Sequence, residues 1–151
     1  MIRFHKPLLE ELRFRQQLLS DEQTMAYNAR WGGAVEFPQE RWAGWYRRWV
    51  EHPDRRFYAY LYSEEEKAFV GEAAYHFDEE LDGCIVDVIV HSRYRGRGYG
   101  TRGLQLLCEQ GRRDGLEALY DDIADSLFLF LKNGFERVRD TEEGILVKKV
   151  L

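Results

Sequence analysis

The sequence predicts a mixed α/β fold, with α and β elements sharing one strongly twisted, mixed sheet of six to seven strands and helices on both faces. Three observations lead there. Short apolar stretches of strand character recur along the chain from Ile2 to Val150. Three of them, in the middle, follow one another with only tight polar links between, as an antiparallel meander does. The rest alternate with segments whose apolar residues recur at three- and four-residue spacing, the signature of amphipathic helices.

Each element has its own warrant. Ile2 to His5 reads as a short strand. Pro7 suits the first turn of a helix whose apolar face is Leu8, Leu9, Leu12 and Leu19. Ser20 and Gln23 form a capping box, so a second helical piece is expected from there to about Tyr27. Asn28 to Phe37, with Gly32-Gly33, reads as a loop. Pro38 opens the next helix, where Trp42, Trp45, Tyr46 and Trp49 fall at i, i+3, i+4 and i+7 on one face. Phe57 to Tyr62, Ala68 to Phe77 and Cys84 to His91 are the meander strands, joined by an exposed turn at Glu64–Lys67 and an acidic link ending in Asp82-Gly83. The third is apolar almost throughout, in Ile85-Val86 and Val88–Val90, which predicts burial on both faces and a central place. A helix from Thr101 turns Leu104, Leu107 and Cys108 inward and ends near Gly115. Leu116–Tyr120 reads as a strand and Ser126–Lys132 as a helix, with closing strands at Phe135–Arg139 and Ile145–Val150.

With 151 residues and no repeat, low-complexity tract or linker, a single domain spanning 1–151 is expected. No apolar run approaches the ~20 residues of a membrane span, so no membrane partner is expected. The start, Met-Ile-Arg-Phe-His, lacks the apolar run of a signal peptide, and a cytoplasmic location follows as the default. Cys84 and Cys108 read as reduced core residues. The four histidines show no metal-ligand spacing, so no metal is expected. A net charge of −5 argues against a nucleic-acid partner and agrees with a cationic substrate.

The segment Val88-Ile-Val-His-Ser-Arg-Tyr-Arg-Gly-Arg-Gly-Tyr-Gly100 carries the chemistry. A buried strand runs into three alternating glycines and then a helix. Such glycines let main-chain N–H groups turn toward one point, and the helix start adds its own unpaired N–H groups and a positive dipole end. That is a seat for phosphate. Its spacing is not the G-x-G-x-x-G of a dinucleotide site, because Thr101 stands where the third glycine is needed. It is not a Walker loop either, since no Gly-Lys pair exists. A plain glycine-rich connector, or an arginine-glycine patch for RNA, is the alternative reading. The connector needs no alternating glycines and arginines, and an RNA-binding tract would be repetitive.

The pattern that fits is Q/R-x-x-G-x-G/A, met by Arg95, Gly98 and Gly100 between a strand and a helix. Here the chain resembles the GNAT superfamily of N-acetyltransferases, and Leu129-Phe-Leu-Lys-Asn-Gly-Phe135 looks like that family's late helix ending in Gly-Phe. The resemblance covers the order of elements along the whole chain. It implies the GNAT-like acyl-CoA N-acyltransferase fold, with acetyl-CoA as cosubstrate and no metal. It places the pyrophosphate on Arg95, Gly96, Arg97, Gly98, Tyr99, Gly100 and Thr101, and pantetheine along the main chain of Val88, Ile89 and Val90. It also implies direct attack by an amine in a ternary complex, with a backbone N–H of that strand receiving the oxyanion.

Acid–base chemistry must come from other side chains. An acceptor amine has to lose a proton. Asp87, in the central strand, is the first candidate to take it, directly or through water. A structural salt bridge is the other reading, since an unpaired buried carboxylate is costly. Glu72 on the neighbouring strand is the second candidate, and Asp121 or Asp122 the third. The family's tyrosine acid would fall at Phe130, which has no proton to donate, so Tyr120 or water would replace it. The asparagine that often contacts pantetheine in the family is absent, with Asp125-Ser126 near its place. By resemblance the first two helices and their connecting loop select the acceptor, and Tyr27, Trp31 and Glu36 are the candidates. Aromatic faces and carboxylates suit a cationic amine, while Trp42, Trp45 and Trp49 read as core or as a homodimer contact. The expected activity is therefore acetylation of a small amine. A non-catalytic acyl-CoA sensor or interaction module, or acetylation of a protein or peptide amine, is the rival.

Overall fold

In the computed structural model, which describes residues 1–151, seven strands form one sheet. In chain order they are β1 (Ile2–His5), β2 (Arg56–Ser63), β3 (Ala68–Asp78), β4 (Gly83–Val90), β5 (Ala118–Ile123), β6 (Glu136–Asp140) and β7 (Ile145–Val150). Their spatial order is β1-β2-β3-β4-β5-β7-β6, so the apolar β4 is central, as its two-faced hydrophobicity predicts. All neighbours are antiparallel except β4 and β5. A parallel pair needs a long crossover, and the helix α3 (Tyr99–Arg113) supplies it. No helix is long and apolar enough to cross a membrane.

The pleat sorts the side chains into two cores. Ala59, Leu61, Ala73, Val86 and Leu119 pack with Leu104, Leu107 and Cys108 of α3. On the other face Tyr58, Tyr60, Ala74 and Ile89 lie beneath the helices α1 (Leu12–Ser20) and α2 (Trp42–Tyr46). Trp42 and Trp45 are buried there, and Trp45 stands edge-on to Tyr58 at 4.6 Å between ring centroids. The tryptophan stripe is therefore packing for the sheet.

Three local outcomes depart from the sequence expectation, and two of them shape the site. Ser20 closes α1, donating its hydroxyl to the Gln17 carbonyl at 3.1 Å, while the Asp21 carboxylate accepts the Thr24 N–H at 2.9 Å. Asp21, not Ser20, is the cap. Both residue types cap well, but only Asp21 also receives the Ser92 hydroxyl, at 2.7 Å, from the loop after β4. The segment so capped is a 3-10 helix over Thr24–Trp31, extending into the expected loop and ending at Gly32. β5 is displaced as well, running to Ile123 and not stopping at Tyr120. Aspartate is depleted in strands, yet Asp121, Asp122 and Ile123 pair with Val147, Leu146 and Ile145 of β7, and that ladder outweighs local preference. The third departure is in the helix opened by Pro38, which changes register twice, from 3-10 to α to a π turn at Arg47–Glu51.

The Gly-Phe signature has a structural cause. The helix α4 (Leu127–Lys132) ends with Gly134 at φ +89°, a left-handed conformation that side chains resist. The Gly134 N–H bonds the Leu131 carbonyl and the Phe135 N–H bonds the Phe130 carbonyl, the two bonds of a Schellman stop. Phe135 then folds back edge-on against Phe130, their ring centroids 5.0 Å apart. Phe130 is thus the apolar partner that locks this helix end.

Candidate active site

The cleft begins where the central ladder fails. β4 and β5 pair only at Cys84↔Leu119 and Ile85↔Tyr120. Beyond that, β4 stays on β3 as far as Val90, and β5 stays on β7 as far as Ile123. Each strand follows its outer neighbour, so the two part. The β5-facing edge of β4 from Asp87 to Val90 has no strand partner. Unpaired main-chain groups of this kind are a template for an added extended chain. The split opens into a cleft of about 750 Å³ lined by Val88, Ile89 and Val90 from β4, Asp121 to Ile123 from β5, Leu129 and Phe130 from α4, and Tyr27 and Trp31 from the 3-10 segment.

At the open end of the split sits the glycine turn. Gly96 and Gly98 have φ of +77° and +82°, and a side chain there would meet no protein atom within 4 Å. They are needed for conformation, not for space. Gly100 is the reverse: its φ is ordinary, its nearest neighbour would be a Val90 methyl at 3.8 Å, and it lines the cleft. A Cβ at Gly100 would meet only whatever occupies the cleft. The backbone bonds around the turn run from Tyr94 N–H to His91, from Arg95 N–H to Ser92 and from Arg102 N–H to Gly98. The N–H groups of Gly96, Arg97, Gly98, Tyr99, Gly100 and Thr101 have no partner in the chain. They gather at the mouth of the 15-residue α3, whose dipole adds positive potential at the same point. The donor set fits a pyrophosphate.

Side chains on the turn have other employment. The Arg95 guanidinium donates to the Gln23 and Thr24 carbonyls at 3.2 and 2.7 Å, clasping the 3-10 segment. Arg97 is ion-paired with Glu66. Tyr99 is buried, its hydroxyl accepting from Ser63 at 3.3 Å. Arg97 and Tyr99 are left with main-chain amides to offer an anion, while Arg95 has both its amide and its guanidinium engaged.

Glu72, a candidate base, is placed otherwise. Both of its oxygens accept from Arg15 Nη1, at 2.6 and 2.7 Å, and the Tyr58 hydroxyl donates to the same carboxylate. Glu72 is buried and Arg15 partly so, beneath Trp45, whose ring centre lies 4.5 Å from the Arg15 guanidinium carbon. Engaged with Arg15 and Tyr58 and absent from the cleft lining, Glu72 does not face an acceptor amine, which corrects that expectation. Its charge still acts on Asp87, which lies on the same face of the sheet, two residue pairs along. Asp87 lines the inner end of the cleft, hydrogen-bonded to no protein group yet reached by water. Burial first, and the Glu72 carboxylate second, push its carboxyl up to about 6, with Arg15 partly opposing. Asp121, across the split, is pushed well above the carboxylate range by burial and by the Asp87 charge.

Tyr120 is the other correction. It sits at the last paired position, its ring over Gly83 and 5.5 Å from the Lys148 ammonium, and it does not line the cleft. Phe130 does line it. Of the acceptor candidates, Tyr27 and Trp31 face the cleft, and burial and the Asp87 charge raise the Tyr27 phenol above its usual range. Glu36 is exposed and lies outside the cleft lining. Sequence reasoning missed Arg15, although a lone cation between Leu12 and Leu19 on an apolar helix face was a readable signal. The Asp21–Thr24–Ser92 bonds that tie the 3-10 segment to the turn had no such signal, because their partners lie far apart in sequence.

A parallel pair split at the sheet centre, an anion seat at its open end and carboxylates at its inner end define a class: an enzyme built around an extended, phosphate-bearing cosubstrate. The model of the acetyltransferase (GNAT) family matches residues 16–135, and the chain belongs to that family of acetyl-CoA-dependent acetyltransferases. Solved structures share the fold. A spermidine N-acetyltransferase from Vibrio cholerae, in complex with CoA and spermine, has 15% identity and a TM-score of 0.79 over 99% of this chain and 95% of its own. A ribosomal-protein-alanine N-acetyltransferase from Brucella melitensis has 21% identity and a TM-score of 0.72 over 100% and 99%. PaiA N-acetyltransferase from Thermoplasma acidophilum, in complex with coenzyme A, has 11% identity and a TM-score of 0.72 over 100% and 99%. No curated protein matches the chain at the sequence level.

Proposed function

We propose that this acetyltransferase moves the acetyl group of acetyl-CoA to a small cationic amine, by direct attack in a ternary complex. The observation that carries the reading is the alignment of six unspent amides, Gly96 to Thr101, with the free edge of β4. With the diphosphate at the helix mouth, the pantetheine arm runs back along Val90, Ile89 and Val88 as an added strand. Its thioester then lies at the inner end of the split, beside Asp87. A carboxyl near 6 is ionised at neutral pH and still basic enough to take a proton from an attacking amine. A backbone N–H on the free β4 edge receives the oxyanion.

The acceptor class follows from the cleft, because the fold is shared by enzymes named for spermidine and for a ribosomal protein. Asp87 and Asp122 supply negative potential, and Tyr27 and Trp31 supply aromatic faces for a cation. The test is a panel of mono-, di- and polyamines and N-terminal peptides with acetyl-CoA, read by thiol release. Turnover concentrated in small cationic amines is expected. Turnover confined to peptides would refute the acceptor assignment.

A further inference from the structure

Phe130 leaves a gap in the chemistry. When the amine displaces CoA, the departing thiolate needs a proton, and the residue at this place in the late helix has none. Tyr120 does not face the cleft. Asp121 does. It is the first β5 residue past the last β4–β5 pair, so it stands at the fork of the split and lines the cleft there. A pantetheine arm that enters at Val90 and runs inward brings its sulfur to this fork.

We infer that Asp121 is the general acid of the reaction, giving its proton to the departing sulfur while Asp87 receives one from the amine. The inference rests on the acetyl transfer proposed above. The balance closes. The reacting ammonium first releases one proton to solvent; the neutral amine's lone pair then forms the N–C bond, the C–S bond breaks, and the electrons of that bond stay on sulfur. Asp87 takes the N–H proton and Asp121 protonates the thiolate. The products are the acetamide and free CoA, with the proton now on Asp87 and the charge on Asp121. Return of that proton through water in the cleft restores the starting pair.

The surroundings favour the protonated form of Asp121. Facing the cleft with it are Asp87 from β4, Asp122 from its own strand, Tyr27 from the 3-10 segment, and Asp125 and Glu143 from the loops. The cleft also holds two arginines. Arg95 is committed to the Gln23 and Thr24 carbonyls, and Arg30 lies over the Trp31 ring at 6.0 Å. Against burial and the Asp87 charge, Asp121 has one favourable contact, the Asp122 N–H at 2.9 Å. With burial the larger influence and the Asp87 charge adding to it, this carboxyl is raised well above its ordinary value. The environment separates an acid from a base without a tyrosine.

Asp121→Asn tests this, with wild-type turnover measured first. If the wild type acetylates no amine, the parent reading fails and this inference falls with it. With turnover established, Asp121→Asn should lower kcat by about 10- to 100-fold, the low end for general acids because a thiolate leaves fairly readily. CoA affinity should be unchanged. The alkaline decline of kcat should vanish, while the acidic limb set by Asp87 stays in place. Phe130→Tyr in the Asp121→Asn background restores a hydroxyl at the late-helix position and should recover turnover at least several-fold. A merely structural aspartate would not be rescued there. Wild-type kcat and pH profile in Asp121→Asn, or no recovery in the double variant with CoA binding intact, would overturn the assignment.

Discussion

Asp87→Asn should make the protein more stable and nearly inactive, and the stability gain should depend on pH in one direction. The fold raises the Asp87 carboxyl from its ordinary 3.8 to about 6. Roughly two units correspond to about 3 kcal/mol against the charged form. Water reaches the group through the cleft, and that screening reduces the cost to about 1 kcal/mol. Because the folded value lies above the unfolded one, the native state binds this proton more tightly. The carboxylate is therefore harmless below about pH 4 and costs its full amount once pH has risen past about 6. Asparagine keeps the shape without the charge. Thermal unfolding near neutral pH should show Tm raised by about 2–4 °C, the increment expected per kcal/mol for a chain of this size. The gain should disappear near pH 4. In parallel kcat should fall about 100-fold or more, the loss expected for a general base, and its acidic limb near 6 should vanish. An equal Tm gain at both pH values would assign the effect to packing, and an intact acidic limb would clear Asp87 of the proton-accepting role.

The other predictions probe the cosubstrate seat, the buried pair and the acceptor wall. Gly98→Asp sets a negative charge at the helix mouth, in a position that is left-handed but sterically open. Stability should fall by about 1–2 kcal/mol, while calorimetry should show CoA binding abolished; normal binding would remove the assignment of the turn. Glu72→Gln leaves the Arg15 charge buried without its counterion, and should cost about 3 kcal/mol in denaturant unfolding. It also removes a negative charge beside Asp87, so the acidic limb of kcat should move to lower pH; an upward shift would contradict the electrostatic account. Trp31→Ala, at a residue 66% exposed, should leave stability within about 0.5 kcal/mol. Losing a cation–π face should raise KM for the amine about tenfold with KM for acetyl-CoA unchanged. An equal rise in both would place Trp31 outside the acceptor wall.

Much of the fold was legible because its signals are local. β4 announced its central place by being apolar on both faces, and the glycine turn announced itself through spacing that only left-handed positions and a helix start explain. The Gly-Phe pair resembles a family signature, and the structure supplies its cause in a Schellman stop between Phe130 and Phe135. The errors also have local origins. Ser20 and Asp21 are both good caps, and the choice between them was made by Ser92, about seventy residues away. The strand expected to end at Tyr120 continues to Ile123 because β7 pairs with it. That extension is what carries Asp121 to the fork.

By itself the sequence determined the order of elements, the helix mouth with its glycines, and the missing hydroxyl at Phe130. These depend on residue type and spacing over a dozen residues or fewer. Only the tertiary structure decided which carboxylates remain free. Glu72 and Asp87 are equivalent as side chains on neighbouring strands, yet Arg15 and Tyr58 saturate one while the split of β4 from β5 leaves the other open to the cleft. Proton affinity belongs to the surroundings of a group. Those surroundings exist only once distant strands and helices have come together.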